Sequence, residues 1–122
     1  MLDSQAKAAA EGLRYKMDQR YLVLEISGNS AVVNQQGPAG SGHSDFIAAL
    51  PEDACRYALY TDTSGKAVLI TWTPEGASVK QKMLYDSQKN AVHGELGYDT
   101  FPHIEASEYN DISEDVIAAR GR

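Results

Sequence analysis

The chain has 122 residues, 43% of them hydrophobic and 23% charged, with a formal net charge of −6. That length suits one domain, residues 1–122, with a core of its own, and the single cysteine, Cys55, excludes an internal disulfide and points to a reducing compartment. The acidic balance weighs against general nucleic-acid binding and against an anionic membrane as partner, and no apolar run approaches the ~20 residues of a membrane-spanning helix.

The opening "MLDSQAKAAAEG" lacks the basic start and apolar stretch of a secretory signal, so a cytoplasmic location is expected. Residues 3–18 read as a helix, with Ala6, Ala9, Ala10, Leu13 and Met17 on one side and Asp3 or Ser4 as cap. "RYLVLEI" (20–26) and "SAVVNQQ" (30–36) are strand-like runs around Gly28-Asn29, the pattern of a hairpin. After a glycine-rich stretch, Ser44 is placed to cap a short helix, "DFIAAL", that Pro51 stops. "CRYALYTD" (55–62) alternates as a strand does, and "AVLITW" (67–72) is apolar enough to lie mid-sheet, covered on both faces. The longest helix follows. Ser78 and Gln81 have capping-box spacing, and Leu84, Ala91, Val92 and Leu96 form the expected core stripe. Gly97 suits its end; "FPHIEAS" (101–107) reads as a last strand and "SEDVIAAR" (113–120) as a last helix, capped by Ser113. This order predicts an α/β (α+β) fold, one sheet with helices on both faces.

Few of these segments carry chemistry. "GPAGSGHS" (37–44) has Gly37, Gly42 and Ser44 where a phosphate-binding loop has them, but His43 stands in place of the lysine and Pro38 removes a backbone N–H. The bland reading, a linker ending in a helix cap, is preferred over a nucleotide site. His43, His93 and His103 share no metal-ligand spacing, Cys55 has no neighbouring base in sequence and reads as an inert buried thiol, and no catalytic motif or cofactor site is found. The strongest signal is on the long helix. Lys80, Lys82 and Lys89 make the most basic stretch of an acidic chain, and Met83 falls off the expected core stripe, pointing outward beside Lys80. An adaptable methionine flanked by lysines suits a protein interface, although composition alone favours the blander reading, a solvated helix face with Met83 touching a neighbouring loop.

"LPEDACRYALY" (50–60) followed by "LITWTPEGASVKQKMLYDSQKNAV" (69–92) resembles the ADF/cofilin family of actin-binding proteins. The matching positions include Leu50, Pro51, Cys55, Arg56, Tyr57, Ala58, Tyr60, Trp72, Pro74, Ala77, Val79, Lys80, Lys82, Met83, Tyr85, Ser87, Lys89 and Ala91. The likeness is strong over 50–92, moderate at "ISEDVIAAR" and looser over 1–35. It implies the ADF-homology fold, a central mixed sheet flanked by helices on both faces. It also implies a monomeric, non-enzymatic, cytoskeleton-associated protein without cofactor that binds actin monomers and filaments and raises filament turnover by depolymerisation and severing. By the same resemblance the actin contacts fall on Lys80, Lys82, Met83 and Lys89, with Glu108 to Ser113 flanking them.

The departures from the family pattern shift those expectations. The tail that carries the family's inhibitory serine is short or missing at "MLDSQ", which weighs against kinase control. Asp86-Ser87 replaces the usual Ala-Ser, and His93-Gly94 replaces a basic pair late in the long helix, which weighs against phosphoinositide binding. The loop "TDTSGK" (61–66) is short and leaves Lys66 as its one cation, and Arg120 matches a filament-contact arginine with Ala119 where an acid is common. Monomer binding is therefore expected to be retained and stable filament binding to be weak. The alternatives are a non-severing relative of the coactosin or glia-maturation-factor kind and, more remotely, a small nucleotide-binding enzyme built on Gly37–Ser44.

Overall fold

The computed structural model describes residues 2–11, 19–28, 30–38, 40–61, 67–96 and 103–120. Five strands, β1 (Gln19–Ser27), β2 (Ser30–Pro38), β3 (Arg56–Thr61), β4 (Ala67–Trp72) and β5 (His103–Ala106), form one sheet in the order β2-β1-β3-β4-β5. All neighbours are antiparallel except β4 and β5, which run parallel from Leu69↔His103 to Trp72↔Ala106. A parallel pair needs a crossover, and the longest helix supplies it. The sheet is thus mixed, as expected.

Alternation along the strands divides the core into two layers. Leu22, Leu24, Tyr57, Leu59 and Leu69 face one side, where α1 (Ser4–Glu11) contributes Ala6 and Ala9 and α3 (Val79–Leu96) contributes Tyr85 and Val92. Tyr21, Val23, Ala58, Tyr60, Val68, Ile70 and Trp72 face the other, covered by Phe46 and Ala49 of α2 (His43–Ala49), Ile112 of a 3₁₀ turn (Tyr109–Ile112) and Ile117 of α4 (Glu114–Arg120). Strand β4 is buried on both faces, as its composition predicts.

Local chemistry explains most boundaries. Asp3 is the cap of α1: its Oδ1 accepts from the Ala6 N–H at 2.7 Å. The predicted remainder of that helix, 12–18, lies outside the described residues. The β1–β2 hairpin turns at Gly28, whose φ of 62° suits a residue without Cβ.

Four expectations need correction. Helix α2 begins at His43, so its cap is Gly42 and not Ser44; the Asp45 carboxylate closes the first turn by accepting from the Gly42 N–H at 3.0 Å. Strand β2 runs on through Gly37 and Pro38, because β1 pairs with it as far as Gln19↔Pro38. The inward stripe of α3 is also rotated. Leu84 and Ala91 are exposed, and Tyr85 and Val92 are the buried residues. Tyr85 wins over Leu84 because its phenol finds partners below: its oxygen accepts from the Ile26 N–H at 2.8 Å, and its ring lies 5.0 Å from that of Tyr57. Half of the predicted capping box at Ser78 forms, with Gln81 N–H donating to Ser78 Oγ at 3.1 Å, but the Gln81 amide oxygen turns instead to the Cys55 N–H at 2.9 Å.

Candidate functional site

The parallel pairing of β4 and β5 brings their C-terminal ends to one end of the sheet, and the antiparallel β3 starts there. Three connections therefore meet: residues 50–55 ahead of β3, 73–78 leading into α3, and 107–113 after β5. Trp72 anchors them. Its indole N–H donates to the Pro51 carbonyl at 2.7 Å, and its ring lies 4.9 Å from that of Tyr109, whose hydroxyl donates to the Leu50 carbonyl at 2.9 Å. Burial pushes the Tyr109 phenol up, and Glu52 and Asp53 add to the rise. Helix α3 thus starts from a fixed platform.

On that start, Val79 is 72% exposed, Met83 68% and Leu84 42%. Residues 79 and 83 share one helical face, and Lys80 and Leu84 lie beside them. Lys80 is exposed, whereas Lys82 is half-buried and its ammonium donates to the Glu75 carbonyl at 3.4 Å. On this turn Met83 points outward, with Lys80 on one flank and Lys82 on the other. The structure adds Val79 and Leu84, which sequence reasoning missed. The signal was the i, i+4 spacing of Val79 and Met83 just after a cap; Leu84 was hidden by the misphased stripe.

The other candidates are more dispersed. Lys89, half-buried two turns along α3, donates to Glu105 on β5 and lies 3.0 Å from Asp86. That pairing raises the Lys89 ammonium above its ordinary value, through Glu105 first and Asp86 second, and holds the Glu105 carboxyl below the usual carboxylate range. Glu108 is exposed on the 107–113 connection, at the same end as the start of α3. Ser113 is the cap of α4, its Oγ accepting from the Val116 N–H at 3.4 Å. Lys66 lies outside the described residues; the strands flanking it end at the Thr61↔Ala67 pair, at the far end of the sheet. Arg120 closes α4.

The glycine-rich stretch does not form a phosphate cradle. Gly37 and Pro38 belong to a paired strand, and His43 Nε2 is spent on the Ile112 carbonyl at 2.7 Å. Cys55 is fully buried and burial raises its thiol, against the nearby charges of Lys82 and Arg56, so it is a poor nucleophile. Among the described residues no group of three His, Cys, Asp or Glu side chains is placed to hold a metal, and no helix is long and apolar enough to cross a membrane.

Comparison with known proteins places the chain's family and fold. The chain is 32% identical over 117 residues to actin-depolymerizing factor 7 of Arabidopsis thaliana, covering 88% of this chain and 84% of that one. It is 33% identical over 119 residues to actin-depolymerizing factor 1 of Oryza sativa subsp. japonica, with the same shares covered. Its fold superposes on the crystal structure of Streptomyces griseoflavus cofilin with a TM-score of 0.89, over 100% of this chain and 98% of that one, at 21% identity. The family model for cofilin/tropomyosin-type actin-binding proteins matches residues 1–122. With a family model over the whole chain and relatives above 30% identity, this chain belongs to the ADF/cofilin family of non-enzymatic actin-binding proteins.

Proposed function

We propose that the protein is a single ADF-homology domain that binds monomeric actin through the start of α3 and promotes filament depolymerisation and severing, while holding filaments only weakly. The observation that carries this reading is the exposed cluster of Val79, Lys80, Met83 and Leu84 on the first turns of α3, with Lys82 at its flank and Glu108 and Ser113 on the neighbouring connection. Large apolar side chains on a helix face gain most when a partner covers them, and lysines beside them orient that partner by charge. Support for weak filament binding comes from the short loop 61–66, where Lys66 is the one cation, and from Ala119 beside Arg120. The place of action that fits is the cytoplasm, on the actin cytoskeleton, with the protein as a monomer and without phosphoinositide or nucleic-acid partners.

The test is Lys80→Ala/Lys82→Ala. Affinity for monomeric actin should fall about tenfold, since a few contact residues dominate an interface. Melting should shift by less than about 0.5 kcal/mol, since neither side chain is in the core. Unchanged affinity removes α3 from the site. Co-sedimentation tests the second half: strong, saturable pelleting with filaments overturns weak filament binding. Filament cutting seen by microscopy separates this reading from a non-severing, coactosin-like role.

A further inference from the structure

Lys82 and Lys89 are seven residues apart and lie on the same flank of α3, so from sequence alone both are candidates to meet an acidic partner. Their surroundings differ. Among the described residues Lys82 touches a backbone carbonyl and no carboxylate, whereas Lys89 sits between Asp86, one turn earlier on α3, and Glu105, on the edge strand β5. The Asp86 side chain is 70% exposed and that of Glu105 58%, so two carboxylates face solvent around one ammonium. Asp86 stands where the family pattern has a small uncharged residue. Acid before base at i, i+3 is the favourable order on a helix, and the second acid arrives from a separate element.

We infer that Lys89 is not a partner contact but the centre of an internal ion cluster, and that Asp86 and Glu105 make this part of α3 net negative and so end the actin-binding face after its first turns. The inference rests on the actin-binding reading of α3. Its mechanism is charge summation: one cation with two carboxylates presents a net charge of about −1 to anything larger than the cluster, which repels the acidic surface that Lys80 and Lys82 would attract. No single strong bond is required, and exposed pairs of this kind are individually weak.

The experiment measures binding to fluorescently labelled monomeric actin at low salt for Lys89→Ala, Asp86→Asn/Glu105→Gln, and the triple combination, with Lys80→Ala/Lys82→Ala as reference. Lys89→Ala alone should change affinity by less than about twofold, and the neutralised double variant should bind about 3–10 times more tightly, because removing like charge at an interface rim mainly speeds association. Adding Lys89→Ala to the double variant should take back about half of that gain on a logarithmic scale, since the cluster then carries net charge 0, midway between the parent's −1 and the double variant's +1. A loss for Lys89→Ala as large as that of the reference pair overturns the inference, as does an unchanged affinity for the double variant. A measurement without actin separates the two readings. By NMR, the Glu105 carboxyl should titrate at higher pH in Lys89→Ala than in the parent protein; no movement overturns the cluster. A moved Glu105 with a neutral reference pair upholds the cluster and counts against the actin reading of α3.

Discussion

At the scale of single residues, Gly37 shows how a position acquires meaning only from its partner. In sequence it opens a near-match to a phosphate loop; in the sheet it pairs with Tyr21. A Cβ there would fall 2.0 Å from Tyr21 Cε2. The ring cannot swing away, since it is buried and lies 5.7 Å from Phe46, which stacks on Tyr60 at 4.7 Å. Gly37→Ala should therefore cost about 1–3 kcal/mol as an overpacked core does. That is a fall of roughly 5 °C or more in melting temperature for a chain of this size. Binding of actin by the folded fraction should be unchanged, and an unaltered melting curve would refute the packing role. Nothing in "GPAGSGHS" announces this, because the tyrosine lies 16 positions away. The phase of α3 was illegible for a similar reason. Leu84 is the more apolar residue by composition, but Tyr85 is buried because Ile26 and Tyr57 wait beneath it. Met83 and Lys80 were legible, because an outward residue needs no knowledge of a partner.

At the scale of elements, strands and helices with strong patterns were readable and their ends were not. β4 announced itself by an apolar run, and α4 by a serine cap. The 3₁₀ turn Tyr109–Ile112 did not, since four residues give no period; it is set by Tyr109 reaching Leu50 and by the Asp111 carboxylate accepting from the Glu108 N–H at 3.1 Å. The docking of α3 on β5 adds a pH dependence. Lys89 holds the Glu105 carboxyl below its ordinary range, so the folded state binds that proton less readily than the unfolded chain. The stabilisation is fully present above the ordinary carboxylate range and is lost as pH falls through the depressed value. Lys89→Ala should therefore flatten the acid limb of stability against pH by removing a small stabilisation at neutral pH, small because the pair is exposed, while leaving the low-pH end unchanged. Denaturant midpoints taken across the acid range check this, and an acid limb as steep as the parent's contradicts it.

At the scale of the whole molecule, the proposed interface is a small basic patch on a chain of net charge −6. The same end of the sheet carries Glu52, Asp53, Glu75 and Glu108, all exposed. An acidic partner approaching Lys80 and Lys82 therefore meets two opposed effects. At long range the net charge repels; at contact the lysines attract. Salt removes the long-range term first, because the Debye length contracts from about 30 Å at 0.01 M to about 8 Å at 0.15 M. The association rate with monomeric actin should thus hold steady or rise over that range, whereas a basic binding protein would slow steeply. The dissociation rate should rise as the lysine contacts weaken, so affinity falls only gently. Stopped-flow traces at several salt concentrations separate the two rates. A steep drop in association would mean that the lysine patch dominates the field at all distances. In that case the acidic rim around α3, and the Asp86–Lys89–Glu105 cluster with it, would have no influence on encounter.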